Sequence, residues 1–363
     1  DPLSLVLTRR ATIAAKFPSP RIPNELLDDI LRYLVPRHLA TVCRCSWSVH
    51  SIAIPILYRC VSFNSVSHLQ GFLRTMKKKN APHLVRQVAL PGNAYDSTIS
   101  PRLASDITEC ILRFLNLETL DIRLTRFFDF GPLLANGHFG RLNTFHTSLY
   151  AQNLDPLLDF VLRHKSTLVH LLVVSPALIK PLDLSARTIH LPLLQSLDVP
   201  TSLLPLFDLG LTCPLTCLRI DIRDAALDSQ LMRPWPLGPQ RIKSLAVSGA
   251  SYGADNVGNV LAQIVTLLPC VQTLSLNSGS FRPLRISAND DVQAISAQLL
   301  KFSKLEALKL GAKVVENSRP INKREQAQII CGWHDVCKTL RSVELDEQRW
   351  VYDVDEQGWN RTL

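Results

Sequence analysis

Leu194-Gln195-Ser196-Leu197-Asp198-Val199 puts apolar side chains at the first, fourth and sixth positions of a six-residue window, with Gln195, Ser196 and Asp198 between them. Its last three residues alternate as a strand with one buried face does. The same spacing occurs ten times, at Val85/Val88/Leu90, Leu117/Leu120/Ile122, Leu142/Phe145/Thr147, Leu168/Leu171/Val173, Leu194/Leu197/Val199, Leu215/Leu218/Ile220, Ile242/Leu245/Val247, Val271/Leu274/Leu276, Leu305/Leu308/Leu310 and Leu340/Val343/Leu345. The starts lie 32, 25, 26, 26, 21, 27, 29, 34 and 35 residues apart, a spacing that marks a repeated supersecondary unit.

Between the triplets, residues 105–115, 156–164, 257–268 and 291–302 carry helix-like apolar spacing. Each unit therefore reads as a short strand followed by an outer helix. No single unit can bury its own apolar face, so the units must stack, which predicts an α/β fold: a curved parallel sheet with outer helices and one continuous core.

Upstream the pattern changes. Residues 22–34 read Ile-Pro-Asn-Glu-Leu-Leu-Asp-Asp-Ile-Leu-Arg-Tyr-Leu, with Pro23 suited to an opening turn and Glu25, Asp28 and Asp29 early, where the helix dipole favours acids. Leu26, Leu27, Ile30, Leu31 and Leu34 form one apolar helical face, and Pro36 ends it. A second helical pattern from Arg37 carries Leu39, Val42, Cys45, Val49, Ile52 and Ile56, with Pro55 bending or dividing its tail. Three short helices in about 40 residues bury little apolar area, so such a module needs a partner or a neighbouring domain. The organisation expected is a mobile leader at 1–20, a helical module at 21–63, a linker at 64–83, the repeat array at 84–349, and a C-terminal cap or tail at 350–363, where Asp353, Asp355 and Glu356 stand among Trp350, Tyr352 and Trp359.

Composition narrows the function classes. A 363-residue chain with 46% hydrophobic residues is not disordered, and 7% aromatics with abundant leucine favours repeat packing over a β-sandwich. The formal charge is +9, and residues 1–80 hold 12 Lys/Arg against 4 Asp/Glu, which favours an acidic partner. Nine scattered cysteines read as reduced thiols, and the only glycosylation sequon is Asn360-Arg361-Thr362, which together point to an intracellular protein of the cytoplasm or nucleus. Arg9, Arg10 and Lys16 interrupt any signal-peptide core. Residues 257–276 lack charge, but Asn259, Gln263, Pro269 and Gln272 interrupt them, so they read as a helix and a strand rather than a membrane span.

Candidate chemistry is sparse. Cys213-x3-Cys217 and Cys331-x2-His334-x2-Cys337 lack the close ligand pairs of zinc sites and read as core cysteines; Cys43-Arg44-Cys45 points its thiols apart on a helix. There is no P-loop, dinucleotide glycine pattern, Gly-x-Ser-x-Gly or His-Glu-x-x-His, so no catalytic residue, metal or cofactor is assigned. Lys77-Lys78-Lys79 reads as a solvated loop. Side chains alternating with the buried triplets should line the concave sheet face: Asp121, Arg123, His146, His170, Asp198, Arg219, Asp221, Lys309, Glu344 and Asp346. Their mixed signs suit a protein ligand, whereas nucleic acid calls for a uniformly basic strip.

Residues 22–63 resemble the F-box found near the N-terminus of many fungal leucine-rich-repeat proteins. The resemblance is carried by Ile22-Pro23-x-Glu25-Leu26-Leu27-x-x-Ile30-Leu31-x-x-Leu34, then His38-Leu39-Ala40-Thr41-Val42, then His50-x-x-Ala53-x-Pro55-x-Leu57-Tyr58-Arg59-x-Val61. Cys45-Ser46-Trp47 stands where the family usually has Val-Ser/Cys-Arg, and Val49 where many members have Trp. Most triplet spacings are near the leucine-rich-repeat period, although the position three after each triplet, often Asn or Cys in such repeats, holds Thr125, Tyr150, Pro176, Ser202 or Arg223. The resemblance implies a non-catalytic adaptor subunit of a ubiquitin ligase. Its F-box would dock a Skp-type adaptor, and through it a cullin–RING ligase, by way of Pro23, Leu26, Leu27, Ile30, Leu34, Leu39 and Val42, while the repeats bind a target protein. The alternative is a non-ligase repeat scaffold whose N-terminal helices only cap the array.

Overall fold

The computed structural model of the chain describes residues 22–63, 65–78, 81–90, 99–123, 130–148, 154–174, 188–210, 212–222, 241–249, 257–278, 284–287, 290–316, 319–320, 322–345 and 348–362. The expected leader at 1–20 and the loop positions Thr125, Tyr150, Pro176 and Arg223 lie outside them.

Three helices come first: α1 (Asn24–Arg32), α2 (Pro36–Val42) and α3 (Trp47–Arg59). Pro36 opens α2, where its missing N–H would have had no helical partner. The long second pattern breaks at 43–46 rather than at Pro55, because the Ser46 side chain accepts the Val49 N–H at 3.1 Å and caps a new helix. Pro55 sits inside α3 on its exposed side. Leu31, Leu39 and Ala53 form the buried centre of this module, with Leu27, Leu34, Val42, Val49, Ile52 and Ile56 packed on it.

The remainder is a mixed α/β structure built on one mostly parallel sheet. Its strands in chain order are β1 (Cys60–Ser62), β2 (Gln87–Leu90), β3 (Thr119–Ile122), β4 (Thr144–Ser148), β5 (His170–Val174), β6 (Ile189–His190), β7 (Ser196–Pro200), β8 (Phe207–Asp208), β9 (Cys217–Ile222), β10 (Ser244–Gly249), β11 (Thr273–Ser278), β12 (Leu284–Ser287), β13 (Ala307–Glu316), β14 (Arg319–Pro320), β15 (Ser342–Leu345), β16 (Gln348–Asp353) and β17 (Gly358–Thr362). The main path runs β1-β2-β3-β4-β5-β7-β9-β10-β11-β13-β15-β16-β17, so strands of successive triplets are neighbours in space. Strands β6 and β8 pair apart from it, and β12 and β14 both pair with the long β13.

Parallel neighbours need a crossover connection, and most of those described are helical: α4 (Val66–Lys78), α5 (Pro101–Leu112), α6 (Gly131–Asn136), α7 (Leu154–Arg163), α8 (Val257–Leu267), α9 (Asp290–Leu299) and α10 (Lys323–Val336). Helix α5 starts before the expected 105 because Ser100 accepts the Leu103 N–H and Pro101 takes the first helical position. The 257–276 stretch is α8 followed by β11. Where the spacing is shortest, from Leu194 to Leu215, there is no room for a full helix, and a 3-10 turn over Thr201–Leu206 replaces it.

The triplets are the core. All thirty of their residues are at most 3% exposed. Their middle members stand in register from strand to strand, Val88 against Leu120, Phe145, Leu171, Leu197, Leu218, Leu245, Leu274, Leu308 and Val343 in turn. Trp350 of β16 continues the row beyond Val343 and is 7% exposed, so the antiparallel β16–β17 hairpin covers the last rung of the core.

The array also begins earlier than its expected start at 84. Tyr58, Val61 and Phe63 have the triplet spacing; Val61 stands opposite Val88, and Phe63 is buried. Residues 66–78 of the expected linker form α4, whose Leu69, Leu73 and Met76 are buried in the array's core. Lys77 and Lys78 belong to the last turn of that helix, where the dipole favours cations, and Lys77 Nζ lies 2.6 Å from Asp106 Oδ1. Lys79 lies outside the described residues.

Turns ahead of the strands are tied by polar groups lying before the triplets. The Cys213 thiol donates to the Leu194 carbonyl, the Cys337 thiol and the Thr339 hydroxyl to that of Leu305. His164, 4% exposed, does the same with two bonds: Nδ1–H donates to the Phe160 carbonyl (2.8 Å), and Nε2 accepts the Phe139 N–H (3.0 Å). That pattern fixes the neutral ring. Burial, with the charges of Arg163 and His138, pushes its pKa below the ordinary value against the opposing Phe160 bond. Because the folded pKa is depressed, the unfolded chain takes up the proton first, so this stabilisation is complete above about pH 6.5 and is lost as pH falls through the lowered folded value. His164→Gln should therefore flatten the decline in denaturant midpoint between pH 7 and pH 5. An undiminished decline would exclude His164 as its source.

Candidate functional site

Two surfaces carry the residues singled out by the sequence. The first is on α1, where one apolar arc serves two directions. Leu27, Leu31 and Leu34 turn into the module: Leu31 is buried and the other two are partly buried. One step around the helix, Leu26 (55% exposed), Ile30 (51%) and Tyr33 (90%) face solvent, with Ile22 just ahead of the helix. Pro23 is exposed beside them and Val42 is partly buried. Leu39, at 3% exposure, lies inside the module, in a supporting rather than an exposed position. A module of three short helices cannot cover an arc this wide. The surplus is left in water.

The charge around this surface is nearly balanced. Between 22 and 63, Arg32, Arg37, Arg44 and Arg59 face Glu25, Asp28 and Asp29, a net of 4 − 3 = +1, and Arg32 is paired with Asp28 at 2.6 Å. The basic surplus of residues 1–80 lies mainly outside the three helices. Apolar area, not charge, distinguishes this face.

The second surface is the sheet face opposite the helices. Ala89, Asp121, His146, Leu172, Asp198, Arg219, Ala246, Ser275, Lys309 and Glu344 stand in register across ten parallel strands. Six of the sequence-predicted residues thus share one row. His170 lies in the row toward the strand starts, opposite Ser196, and Asp221 in the row toward the strand ends, opposite Pro200 and Ser248. Arg123 follows β3 directly. Asp346 lies outside the described residues.

The row divides into two charged groups. In the first, Arg123 holds Asp121 with a two-pronged bond, Nε to Oδ1 and Nη2 to Oδ2, both 2.8 Å, and His146 Nδ1 lies 3.6 Å from Oδ2. Burial alone would raise the Asp121 carboxyl; the His146 and Arg123 contacts overcome it and hold the group below the usual carboxylate range. Asp198 is the opposite case. Burial raises its pKa, Asp221 adds to the rise, and Arg219, whose Nη1 is 3.4 Å from Oδ2, only partly offsets them. The second group is Lys309 with Glu344, at 2.5 Å. Between Arg219 and Lys309 the row drops to Ala246 and Ser275 over about 14 Å, taking about 4.8 Å per strand.

Comparison with models of known protein families finds no match, and comparison with curated proteins finds none either. The function must therefore be read from these two surfaces. Among the described residues no group of three or more His, Cys, Asp or Glu is placed to hold a metal ion. A pocket within the first units is lined by apolar side chains, Phe63, Phe72, Val88 and Phe114 among them, together with Cys110, whose thiol burial pushes up to about 11. It offers no group that exchanges protons near neutrality. Among the described residues no helix is long and apolar enough to cross a membrane.

The sequence reading missed the split of the α1 arc. Its signal was available: apolar residues at 22, 26, 30 and 33 form a stripe adjacent to 27, 31 and 34, more than one core can take.

Proposed function

We propose that the chain is the substrate-recognition subunit of a Skp-cullin-F-box ubiquitin ligase, with an F-box over 22–63 docking a Skp-type adaptor and a leucine-rich-repeat solenoid binding a target protein. The observation that carries this reading is the solvent-facing stripe of Leu26, Ile30 and Tyr33 beside a module core that is already complete. Exposed large apolar side chains grouped on one helix mark an interaction face, and an amphipathic helix laid into a groove is a recurrent way of using one.

The join between the surfaces supports the same reading. Helix α3 runs straight into β1, the Arg86 N–H donates to the Arg59 carbonyl at 2.9 Å, and Tyr58 packs on the array's core. A target on the sheet face is then carried at a fixed distance from the docked adaptor. The chain contributes by proximity: it raises the local concentration of the target's lysines at a conjugating enzyme held by the same complex, and no residue of its own needs to do chemistry.

The second reading, a scaffold whose helices only cap the array, is favoured by the Tyr58 and Val61 packing but leaves Leu26, Ile30 and Tyr33 without a role. Affinity purification with mass spectrometry separates the two. The intact chain is expected to recover a Skp-type adaptor and a cullin that a chain lacking 22–57 does not; recovery of neither by a folded intact chain would favour the scaffold. The shortened chain keeps Tyr58, Val61 and Phe63, so its array retains the first rung.

A further inference from the structure

We infer that the trough over β10 and β11 seats an acidic amphipathic helix of a partner protein, its small apolar face on the sheet and its flanking carboxylates against Arg219 and Lys309. The inference deepens the target-binding half of the reading proposed above, on which it rests, and is independent of adaptor docking. The floor of the trough is three registered pairs, Ser244 with Thr273, Ala246 with Ser275 and Ser248 with Asn277, so it carries no charge and no large side chain. The central pair is partly exposed. Strands of 6 residues make the floor about 20 Å long, the length of about 13 residues of helix. The charged walls on β9 and β13 stand about 14 Å apart, and a helix with small side chains toward the floor is about 10 Å across.

Backbone chemistry selects a helix over an extended segment. The peptide groups of β10 and β11 are engaged with β9, with each other and with β13. Floor side chains are engaged too: Ser248 Oγ donates to the Ile220 carbonyl at 3.4 Å and Asn277 Nδ2 to Ser275 Oγ at 3.2 Å. An extended chain laid flat here would bury peptide groups without partners, whereas a helix bonds its own. The described helices pack on the triplet face, and a parallel sheet is usually covered on both.

Charge selects the edges of the occupant. In register the row reads Asp198, Arg219, Ala246, Ser275, Lys309, Glu344, Arg349. Both groups beside the floor are cations, and their carboxylates lie one strand further out. Arg219 is 59% exposed and reaches Asp198 through one nitrogen at 3.4 Å, unlike the two-pronged 2.8 Å bond of Arg123. Lys309 is 45% exposed, and its partner Glu344 has Arg349 in register on the other side. Ion pairs this exposed exchange partners at little cost. Asp221 lies one row toward the strand ends, so a carboxylate of the occupant approaches Arg219 from the strand starts. The formal charge of +9 on the whole chain draws an acidic partner in from a distance.

The test is selection from a displayed library of single helices about 13 residues long, with the purified full chain as bait. Floor-facing positions are varied among Ala, Ser and Leu, and edge positions among Glu, Gln and Lys. Glu is expected at the edges, with the retained clones binding at least about tenfold more tightly than their Lys counterparts. Ala246→Trp fills the trough from a partly exposed position, and should remove this binding without lowering the melting midpoint. Arg219→Gln with Lys309→Gln should erase the preference for Glu over Lys. Selection of Lys, enrichment of no clone, or clones that bind the Ala246→Trp chain as tightly as the parent would overturn the inference. Clones lost instead with Leu172→Trp, on the same face outside the trough, would keep the sheet face as the target surface and overturn the trough assignment alone. A chain dimer that Ala246→Trp dissociates, or a single-stranded oligonucleotide that binds the trough more tightly than any clone, would name a different occupant and overturn it as well. Recovery of a Skp-type adaptor should be the same for all these variants, so a failure of the ligase reading shows separately.

Discussion

Leu26→Asp combined with Ile30→Asp is expected to abolish binding of a Skp-type adaptor while leaving the fold intact. Both side chains are half exposed already, so neither supports the module's core, which is built on Leu31, Leu39 and Ala53. Surface substitutions of this kind usually change stability by no more than about 0.5 kcal/mol each. At a buried apolar interface the same change is severe. Each carboxylate would be desolvated without a partner, at a cost of several kcal/mol, and the contact area of two aliphatic side chains would be lost as well. Binding measured by calorimetry and melting followed by circular dichroism together separate the cases. A variant that still binds would detach function from the α1 stripe, whereas one that no longer melts cooperatively would show that the stripe is structural.

The largest stability effect is expected at Phe160. The ring is fully buried and lies between three parts of the array, 4.7 Å from Phe145 of β4, 6.3 Å from Phe139 in the turn before it, and 4.3 Å from the His164 ring. Phe160→Ala should cost about 3–5 kcal/mol, since a cavity opens at a place where neighbouring units meet and none can close it alone. Leu162, two residues on in α7, is 37% exposed, and Leu162→Ala should stay within about 1 kcal/mol. Urea unfolding of the two variants checks both values. Equal losses would mean that the helix, rather than the interlock at Phe160, determines stability at this point. Unfolding in a stacked array can lose its two-state character, and a reduced slope in Phe160→Ala would place the break between the units it joins.

The array was legible because the spacing inside each triplet is strict, although the triplets themselves start 21 to 35 residues apart. A residue in a triplet has no alternative environment: slipping a strand by one would turn Leu197 or Leu245 outward and Asp198 or Ala246 inward, so the pattern in the sequence and the burial in the structure are one constraint. Alignment of the triplets also brings Asp121 next to His146 and Asp198 next to Arg219, and those pairings follow from register alone. Other features needed the third dimension. Tyr58, Val61 and Phe63 have the triplet spacing, but the same residues close the helical module, and the linear pattern gave no reason to prefer the rung. Helix α4 was hidden by its own end: Lys77 and Lys78 read as a solvated loop, although Leu69, Leu73 and Met76 sit at helical spacing. The division of the α1 arc into Leu31 inside and Leu26 outside depends on where α2 and α3 press against it. So does the burial of Leu39, which no local pattern distinguishes from Val42.

The partners of the polar groups in the turns needed the third dimension too. Asn or Cys after each triplet would satisfy backbone groups at the strand ends. Here Cys213, Cys337 and His164 satisfy backbone groups in the turns before the strands, where the chain leaves one helix layer and enters the sheet. Buried polar groups require partners wherever they occur, but a sequence shows the residue types and not which carbonyl each one reaches.

Co-expression of the intact 40.6 kDa chain with a Skp-type adaptor, followed by light scattering on the purified material, tests the docking claim most directly. The predicted result is a single species with the summed mass of one chain and one adaptor, replaced by two separate species when Leu26 and Ile30 are both Asp. A folded intact chain that elutes as a free monomer beside unbound adaptor would contradict it.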